Sequence, residues 1–424
     1  PAALFGAALA GTPFVSMNYR LSAEQISAQI ARITAAQFIT DTSVTADGMQ
    51  VLTPHQAMTG ESFAGEAPDI DGAVAVELFT SGTTGDPKSA VLRHSNLMAY
   101  IFGTVEFMSA GEDESALLSV PPYHIAGIAA VLSSTYAGRR MVQLPAFTAE
   151  AWIDLAAREN VTNAFLVPTM LQRIVEVADG AIDLPKLQNV AYGGGKMPRE
   201  TIEAAMRLMP HVNFTNAYGL TETSATICML GPDDHRAAFE NADPAIARRL
   251  GSVGRPIPTI ELIIRGEDGG TCAAEETGLV WVRGDQVSGE YKGLGSQLDS
   301  DGWFPTKDRG FVDADGYLFI DGRADDVIVR GGENISPGEI EDVLRAHASV
   351  KDVAAIAVAD VQWGEAVGIA IVCDAGLEDC EICDLVRAKL RSSRVPSVIK
   401  RMDALPYNET GKLLRRVIRD HLAD

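Results

Sequence analysis

The chain has 424 residues, more than a single hydrophobic core usually holds, which predicts about three domains or one large domain with a smaller partner. Hydrophobic residues make up 46% of it, and 39 glycines and 20 prolines are spread throughout, a composition that argues against disorder. The formal net charge of −22 argues against nucleic acid or an anionic membrane surface as a main partner, because both would be repelled.

The five cysteines show no spacing typical of a disulfide framework, which predicts a reducing, cytoplasmic setting. Cys380 and Cys383 form one C-x-x-C, and we expect them on a buried helix face because no second pair or histidine cluster accompanies them. Two long uncharged runs, at 1–19 and 115–138, are interrupted by glycine or proline and predict core strands and turns. No targeting or membrane-spanning segment is expected.

Helix-like and strand-like stretches alternate along the first half of the chain. In chain order we predict a strand at 14–19, a helix at 22–33, strands at 73–79 and 116–120, a helix at 151–160, a strand at 162–168, a helix at 170–178 and a strand at 187–194. Such alternation is typical of parallel strands with crossover helices, and ligands bind beyond the carboxyl ends of such strands.

The pattern changes to short β runs with frequent turns between 251 and 322, which predicts a β-rich subdomain. The residues after Arg323 read as helix, strand, strand, helix, strand and helix, the pattern of a compact α+β unit. Its first helix is predicted to start with Ser336 as N-cap and Pro337 as first residue, with Glu339 closing a capping box.

These patterns predict an α/β fold. We expect a large domain over 1–323 that contains α/β subdomains and the β-rich subdomain, a hinge at 324–326, and a small mobile α+β domain over 327–424.

The stretch LFTSGTTGDPKSAVL at 78–92 predicts a phosphate-holding loop, because it combines hydroxyl groups, glycines that allow close backbone approach, and a lysine. The residues concerned are Thr80, Ser81, Gly82, Thr83, Thr84, Gly85 and Lys88. It is not a Walker A loop, since Pro87 stands where the second glycine belongs and proline has no N–H to donate. A Ser/Thr/Gly surface loop is the structural alternative.

A second candidate is NAYGLTETS at 216–224. A carboxylate near a phosphate loop needs a cation between them, so Glu222 is a candidate Mg²⁺ ligand and Thr221 a candidate phosphate contact. Tyr218 is suited to stacking on a base. Taken singly, Glu222 also fits a helix-start acid and Tyr218 the edge of a core.

Both stretches resemble the adenylate-forming superfamily, which comprises acyl- and aryl-CoA synthetases, peptide-synthetase adenylation domains and beetle luciferases. Thr-Ser-Gly-Thr-Thr-Gly-Asp-Pro-Lys is similar to the family's signature loop, with Ser89 where a glycine is usual. The run 216–224 matches its YGxTE motif, with Ala217 where glycine is common. The resemblance implies that these two segments, with a glycine segment along the adenine, bind the nucleotide through Gly193, Gly194, Gly195, Asn216, Ala217, Tyr218, Gly219 and Thr221.

The resemblance extends to the acyl pocket and the ribose site. PPYHIAG at 121–127 resembles the segment that borders the acyl group, which implies that Tyr123, His124 and Gly127 line the pocket. From composition alone, His124 fits a satisfied core histidine. In GWFPTKDRG at 302–310, Asp308 is implied to accept both ribose hydroxyls, and Lys307 replaces the usual glycine.

The remaining resemblances lie around and after the junction between the two predicted domains. Arg323 resembles the family arginine that contacts ribose and phosphate, and Asp325 occupies the hinge position. Gly331, Gly332 and Glu333 resemble the loop that lines the pantetheine tunnel for CoA, although a hairpin turn is the alternative without the family. LPYNETGKLLRR at 405–416 matches the closing motif, which implies that Lys412 is catalytic and reaches the carboxylate and α-phosphate during adenylation.

The family implies an AMP-forming acyl-CoA synthetase that uses ATP, Mg²⁺ held by Glu222, and CoA. A fatty or aryl carboxylic acid would become an acyl-adenylate and then a thioester. A homodimer is the assembly considered. One alternative is a stand-alone enzyme that loads a carrier protein, and we favour CoA because no carrier domain follows residue 424. The other is a catalytically weak nucleotide-binding homologue, suggested by Ser89, Lys307 and several tens of residues missing at the start relative to the family.

Overall fold

A computed structural model describes residues 1–33, 37–41, 48–59, 66, 68–70, 72–80, 88–178, 180, 182–408 and 413–423. Its helices are α1 Ala2–Leu9, α2 Ala23–Ile30, α3 Pro54–Met58, α4 His94–Thr104, α5 Ile125–Ala137, α6 Ala149–Arg158, α7 Pro168–Val177, α8 Arg199–Leu208, α9 Pro232–Ala238, α10 Pro244–Ala247, α11 Pro337–Arg345, α12 Asp379–Lys389 and α13 Arg415–Ala423. Its strands in the first part of the chain are β1 Phe14–Ser16, β2 Gln37–Ile39, β3 Gln50–Leu52, β4 Val74–Thr80, β5 Lys88–Arg93, β6 Ser115–Leu118, β7 Arg140–Gln143, β8 Asn163–Leu166, β9 Asn189–Gly193, β10 Asn213–Leu220, β11 Ala225–Leu230 and β12 Arg255–Pro256. The later strands are β13 Glu261–Arg265, β14 Gly278–Arg283, β15 Glu290–Tyr291, β16 Gly295–Ser296, β17 Phe304–Val312, β18 Leu318–Arg323, β19 Ile328–Arg330, β20 Glu333–Ile335, β21 Val350–Asp360, β22 Gly364–Cys373 and β23 Val398–Arg401.

The predicted crossover helices and parallel strands form a seven-stranded sheet with the order β12-β11-β10-β9-β8-β6-β7. Strands β6 to β10 of this sheet run parallel, and helices α6, α7 and α8 contribute Trp152, Leu171 and Ile202 to its fully buried core. Because β9 and β10 run side by side, Gly193 lies opposite Ala217. The sheet thus brings two predicted nucleotide segments together at its edge, as expected for an α/β fold.

A five-stranded sheet with the order β1-β4-β5-β15-β16 carries the loop-bearing strands. Strands β4 and β5 are antiparallel, with Thr80 opposite Lys88, and the predicted phosphate loop at 81–87 between them lies outside the described residues. Lys88 begins a strand, whereas the lysine of a Walker A loop opens a helix. This confirms the prediction that the stretch is not a Walker A loop.

The β-rich subdomain is confirmed as an antiparallel sheet with the order β13-β14-β17-β18. Its core is formed by alternating apolar side chains such as Ile264, Val280 and Val282, as the two-residue period of a strand requires. Pairing of β17 with β18 places Asp308 opposite Arg323. Two candidate ribose residues are therefore neighbours.

The C-terminal part forms a five-stranded sheet with the order β20-β19-β22-β21, in which β23 also pairs with β22. Helices α11 and α12 pack on this sheet through Ile340, Leu344 and Ile382, all fully buried. The predicted order of elements after Arg323 is confirmed from α11 to α13, but it omitted the short β19–β20 hairpin. The proposed hinge lies in a single 3₁₀ turn, Ala324–Asp326, and the domain boundaries stay predictions.

The start of α11 corrects one expectation. Ser336 caps the helix, since its Oγ accepts from the N–H of Gly338 at 3.2 Å, and Pro337 is the first residue. The predicted capping box is wrong, because the Glu339 carboxylate accepts from Nε of Arg394 at 2.9 Å instead of returning to the helix start. The serine cap is kept, and an ion pair within the small domain takes the place of the glutamate half of the box.

The cysteines and the uncharged runs can now be placed. All five cysteines are free; Cys380 and Cys383 lie on α12 as predicted, but Cys380 is exposed, so a wholly buried face is wrong for this pair. Helix packing against α11 and the sheet selects other positions of α12, such as Ile382 and Val386. The expectation of strands and turns for the two uncharged runs is wrong in part, because each contains a helix, α1 in the first and α5 in the second. No helix in the described ranges is long and apolar enough to cross a membrane.

Candidate active site

The two strand ends that hold the predicted phosphate loop are joined by a side-chain contact, in which Oγ1 of Thr80 donates to the carbonyl of Lys88 at 3.3 Å. The Lys88 ammonium lies 5.5 Å from the ring centroid of Tyr291, within cation–π range. The structure thus places Lys88 beside a residue that the sequence analysis missed. The remaining predicted loop residues lie outside the described part of the chain: Ser81, Gly82, Thr83, Thr84 and Gly85.

Glu222 lies in the 3₁₀ turn Thr221–Thr223, at the tight reversal from β10 to β11. Its side chain is buried, and Oε1 accepts from the Tyr291 hydroxyl at 2.5 Å. Oε2 accepts no hydrogen bond from any residue that the structure describes. The reversal requires a glycine at 219, because a Cβ there would lie 1.6 Å from the carbonyl oxygen of Ala225.

This arrangement fits the predicted role of Glu222 toward Mg²⁺. Mg²⁺ is usually held by one or two protein carboxylates together with substrate phosphates. Across the described ranges, no group of three or more His, Cys, Asp and Glu side chains gathers into a full protein metal site. A single buried carboxylate with one oxygen left over is therefore suited to sharing the ion with a nucleotide.

Asp308 is the centre of the candidate ribose site. Its Oδ2 accepts from the Tyr218 hydroxyl at 2.5 Å, and its Oδ1 accepts from Nη1 of Arg323 at 3.0 Å. Burial and the Asp308 carboxylate raise the pKa of Tyr218 well above its usual value, so the phenol stays a donor. Both carboxylate oxygens are thus already engaged by protein donors.

Arg323 has one buried nitrogen that could donate to a nucleotide. Its Nε is buried and has no hydrogen-bond partner within the described part of the chain. Buried donors are nearly always satisfied, by protein, water or ligand. The predicted contact of Arg323 with ribose or phosphate would supply the acceptor.

The candidate adenine segment at 193–195 requires glycine because its backbone lies close to that of the neighbouring strand. A Cβ at Gly193 would lie 2.1 Å from the carbonyl oxygen of Ala217, and Gly194 has a φ of +85°, in the left-handed region that glycine favours. Gly195 follows directly. The Asn216 amide donates to the Ser252 carbonyl at 3.1 Å, which fixes the start of the YGxTE segment.

An open cleft of about 2820 Å³ runs past these elements and is the candidate acyl site. Gly127 lies in its lining, where a Cβ would come within 2.5 Å of the Pro121 carbonyl oxygen. Tyr123 and His124 do not line the cleft; their rings pack together with centroids 4.7 Å apart, and Tyr123 is buried. Burial lowers the pKa of His124 to about 4, so the imidazole is neutral near pH 7.

The predicted CoA loop is a two-residue hairpin turn. Gly331 and Gly332 have φ values of +58° and +84°, and they connect Arg330 to its strand partner Glu333, as in a type I′ turn. A Cβ at Gly331 would lie 2.7 Å from the Trp363 ring, so the turn packs directly against that indole. The Glu333 carboxylate is paired with the Arg394 guanidinium.

The two predicted small-domain motifs stand in different places relative to the cleft. Tyr407 and Asn408, which precede the closing motif's lysine, line the cleft, whereas none of residues 331–333 does. Lys412 itself lies outside the described residues. The small domain also contacts the large one through a salt bridge, in which Nζ of Lys196 lies 2.7 Å from Oδ1 of Asp342.

The sequence analysis missed Tyr291, Lys292 and Glu77. Glu77 is a buried acid in β4 that pairs with Lys292 at 2.9 Å, and a charged residue inside the apolar run AVAVELF was a signal for it. Lys292 and Tyr291 had no such signal, since their partners are 215 and 69 residues away along the chain.

Comparison with known proteins decides the family. A family model described as AMP-binding enzyme matches residues 1–292, and one described as AMP-binding enzyme C-terminal domain matches residues 339–412. This chain belongs to the AMP-binding enzyme family. The predicted resemblance is thereby confirmed.

This AMP-binding enzyme is 30% identical over 441 residues to the fatty acid–[acyl-carrier-protein] ligase ScoC of Streptomyces coeruleorubidus, with 98% of this chain and 83% of that protein covered. It is 28% identical over 415 residues to 2-succinylbenzoate–CoA ligase of Bacillus cereus strain Q1, with 96% and 83% covered. A solved o-succinylbenzoate CoA synthetase from Bacillus subtilis, in complex with its acyl-adenylate intermediate, superposes with a TM-score of 0.85. That match has 27% identity and covers 99% of this chain and 85% of the synthetase, which confirms the mixed α/β fold with a large N-terminal and a small C-terminal domain.

Proposed function

We propose that this AMP-binding enzyme couples a carboxylic acid to ATP, giving an acyl-adenylate and pyrophosphate, and then transfers the acyl group to CoA with release of AMP. Its class, an AMP-forming acid–thiol ligase, follows from its family and from the CoA ligases it resembles. The observation that carries the proposal is the similarity over 99% of the chain to a synthetase solved with an acyl-adenylate. The same synthetase was solved with ATP and magnesium ion.

In the first step a carboxylate oxygen bonds to the α-phosphorus of ATP, and the bond from that phosphorus to the pyrophosphate oxygen breaks. Bound Mg²⁺ supplies positive charge that neutralises the phosphates. Glu222 would hold the ion through Oε2, Lys88 would place its ammonium near the phosphates, and the unpaired Nε of Arg323 would bind a nucleotide oxygen. In the second step the CoA sulfur bonds to the acyl carbon and AMP leaves.

We propose a fatty or aryl acid as substrate. The cleft is lined mainly by apolar and small residues, including Ala126, Gly127 and Ala217, which leave room for an elongated or aromatic acyl group. The relatives act on a fatty acid in one case and on 2-succinylbenzoate in another.

The acceptor has a second candidate, because the relative ScoC is an acyl-carrier-protein ligase. We propose CoA, since the 2-succinylbenzoate ligases and the solved synthetase use it. The five free cysteines support a reducing compartment such as the cytoplasm. A homodimer stays a prediction.

The test has two stages. Pyrophosphate exchange is measured with a panel of fatty and aryl acids, and the active acid is then offered CoA or a phosphopantetheinylated carrier protein. Exchange followed by CoA thioester formation is the expected result. Thioester formation on the carrier protein alone would show that the acceptor is a carrier protein and not CoA. ATP binding without pyrophosphate exchange for any acid would contradict the proposed activity.

A further inference from the structure

One residue joins the two charged groups of the candidate phosphate site. The Tyr291 hydroxyl donates to Oε1 of Glu222 at 2.5 Å, and the Lys88 ammonium lies 5.5 Å from the centroid of the same ring. A single phenol thus contacts both the candidate Mg²⁺ ligand and the lysine that ends the phosphate loop. Neither contact follows from the two motifs themselves.

The backbone around Tyr291 also forms hydrogen bonds to the Glu222 turn and to strand β5. The N–H groups of Ser288 and Gly289 donate to the Glu222 carbonyl at 2.9 and 3.0 Å. On the other side, the N–H of Lys292 donates to the Ser89 carbonyl at 2.9 Å. The short strand β15 is therefore held between the Glu222 turn and strand β5.

The flanking side chains fix the direction of the Tyr291 ring. Glu290 forms a bidentate pair with Arg93 at 2.8 and 2.9 Å, and Lys292 forms its ion pair with Glu77. Successive side chains of a strand point to opposite faces, so these anchors hold one face while Tyr291 is directed to the other. Turning this strand so that Tyr291 faces away from Glu222 would require breaking the ion pairs of both flanking residues.

We infer that Tyr291 is a positioning residue for adenylation, which orients the Glu222 carboxylate for a divalent cation and keeps the Lys88 ammonium separate from it. This inference rests on the proposed function. Without this spacer, the acid and the lysine are free to pair with each other instead of with metal and phosphate.

The test uses Tyr291→Phe, which keeps the ring beneath Lys88 and removes only the hydrogen bond, and Tyr291→Leu, which removes both. Affinity for Mn²⁺ is measured by electron paramagnetic resonance in the presence of a non-hydrolysable ATP analogue. A hydrogen bond to a charged group predicts about a 10-fold weaker Mn²⁺ affinity for Tyr291→Phe. Tyr291→Leu is expected to weaken analogue binding as well, by about 3-fold, through loss of the cation–π contact.

A matched control lies in the β-rich subdomain. The Tyr317 hydroxyl donates to Oδ1 of Asp234 at 2.6 Å, so Tyr317→Phe removes the same kind of bond away from the site. We expect wild-type Mn²⁺ affinity for that variant. In a Glu222→Gln background, Tyr291→Phe should add no further loss of Mn²⁺ affinity, because the two residues act through one contact.

Unchanged Mn²⁺ affinity in Tyr291→Phe, or equal losses in Tyr291→Phe and Tyr317→Phe, would overturn the inference. Wild-type protein that binds no Mn²⁺ with the analogue would overturn it too. Failure of the proposed function is a separate result, since it shows as absent pyrophosphate exchange while Mn²⁺ and analogue binding still report on Tyr291.

Discussion

The Arg323 guanidinium donates to Oδ1 of Asp308 at 3.0 Å, across the strand pair that leads to the proposed hinge. Asp308 is buried, whereas the Arg323 side chain is 27% exposed, so the pair is only partly screened by water. This ion pair connects the candidate ribose site to the strand that precedes the proposed hinge.

Replacing Asp308 by asparagine should weaken ATP binding strongly. The change removes the charge that holds Arg323 and Tyr218, and we expect about 10²-fold lower affinity for ATP by calorimetry and about 2 kcal/mol lower stability in urea. Asp299→Asn is the control, because Asp299 pairs with Arg265 at 3.0 Å in the same subdomain. That variant should lose some stability and no ATP affinity; equal ATP effects in both would contradict the assignment.

Replacing Lys307 by glycine should stabilise the protein. Lys307 is exposed and has a φ of +64°, a left-handed conformation that disfavours a side chain, and this explains why the family usually has glycine at the position. Relief of this strain exceeds the added backbone entropy of glycine by about 0.5–1 kcal/mol. Urea unfolding should show the gain for Lys307→Gly and none for Lys307→Ala, which keeps the strain; a gain in both would point to charge instead.

Loss of the salt bridge between Lys196 and Asp342 should favour the thioester step. Both side chains are 56% exposed, so Asp342→Ala should change stability by less than about 1 kcal/mol. It should nevertheless ease departure of the small domain from this arrangement, raising CoA consumption relative to pyrophosphate exchange by about 2- to 5-fold. Asp374→Ala breaks a comparable pair with Lys351 inside the small domain and should leave that ratio unchanged.

Acid should destabilise the protein partly through His235. The buried ring lies 2.8 Å from the Tyr192 hydroxyl and 2.8 Å from the Gly231 carbonyl, which it binds as a neutral donor and acceptor. Burial lowers the pKa of His235 to about 4, against an ordinary 6.5. Between pH 4 and pH 6.5 the imidazole is therefore protonated in the unfolded chain and neutral in the native state. Stability is therefore retained above pH 6.5 and falls as the pH drops toward 4.

For His235 alone, the loss between pH 7 and pH 5 is about 2 kcal/mol. His235→Gln should be less stable at pH 7, since it cannot make both hydrogen bonds, but its stability should fall by about 2 kcal/mol less over the same pH range. Urea titrations at both pH values measure this difference. His55→Gln, at an exposed position, should show the wild-type pH dependence; parallel curves for wild type and His235→Gln would refute the role of burial.

The two small-domain motifs should act in different half-reactions. Lys412→Ala removes a charge needed while the carboxylate attacks the α-phosphate, and pyrophosphate exchange should fall by about 10²- to 10³-fold. Thioester formation from supplied acyl-adenylate should survive. Gly332→Leu should show the reverse pattern, by blocking the path of pantetheine.

Gly332 has open space around its missing Cβ but a φ of +84°, so leucine there also strains the turn. Gly332→Asn separates the two effects, because asparagine tolerates this conformation and is smaller. A thiol step blocked by leucine and largely kept by asparagine is the expected outcome. Equal impairment of both steps by Lys412→Ala would refute the division of roles.

Features carried by neighbouring residues were predictable from the sequence. The alternation of apolar periods predicted the α/β fold, and the runs 78–92 and 216–224 predicted the family, because each motif consists of consecutive residues. The capping box at Ser336 and Glu339 was wrong because a distant arginine competes for the glutamate. The exposed Cys380 was missed because helix packing, not spacing, selects the buried face.

By itself the sequence determined the class of this AMP-binding enzyme, its α/β architecture and the chemical groups of its candidate site. Only the tertiary structure decided that Tyr291 binds Glu222, that Lys292 pairs with Glu77, and that both oxygens of Asp308 are already engaged. The physical reason is strand register. A hydrogen bond between residues 69 positions apart depends on which strands become neighbours and at what offset, and no local periodicity encodes that choice.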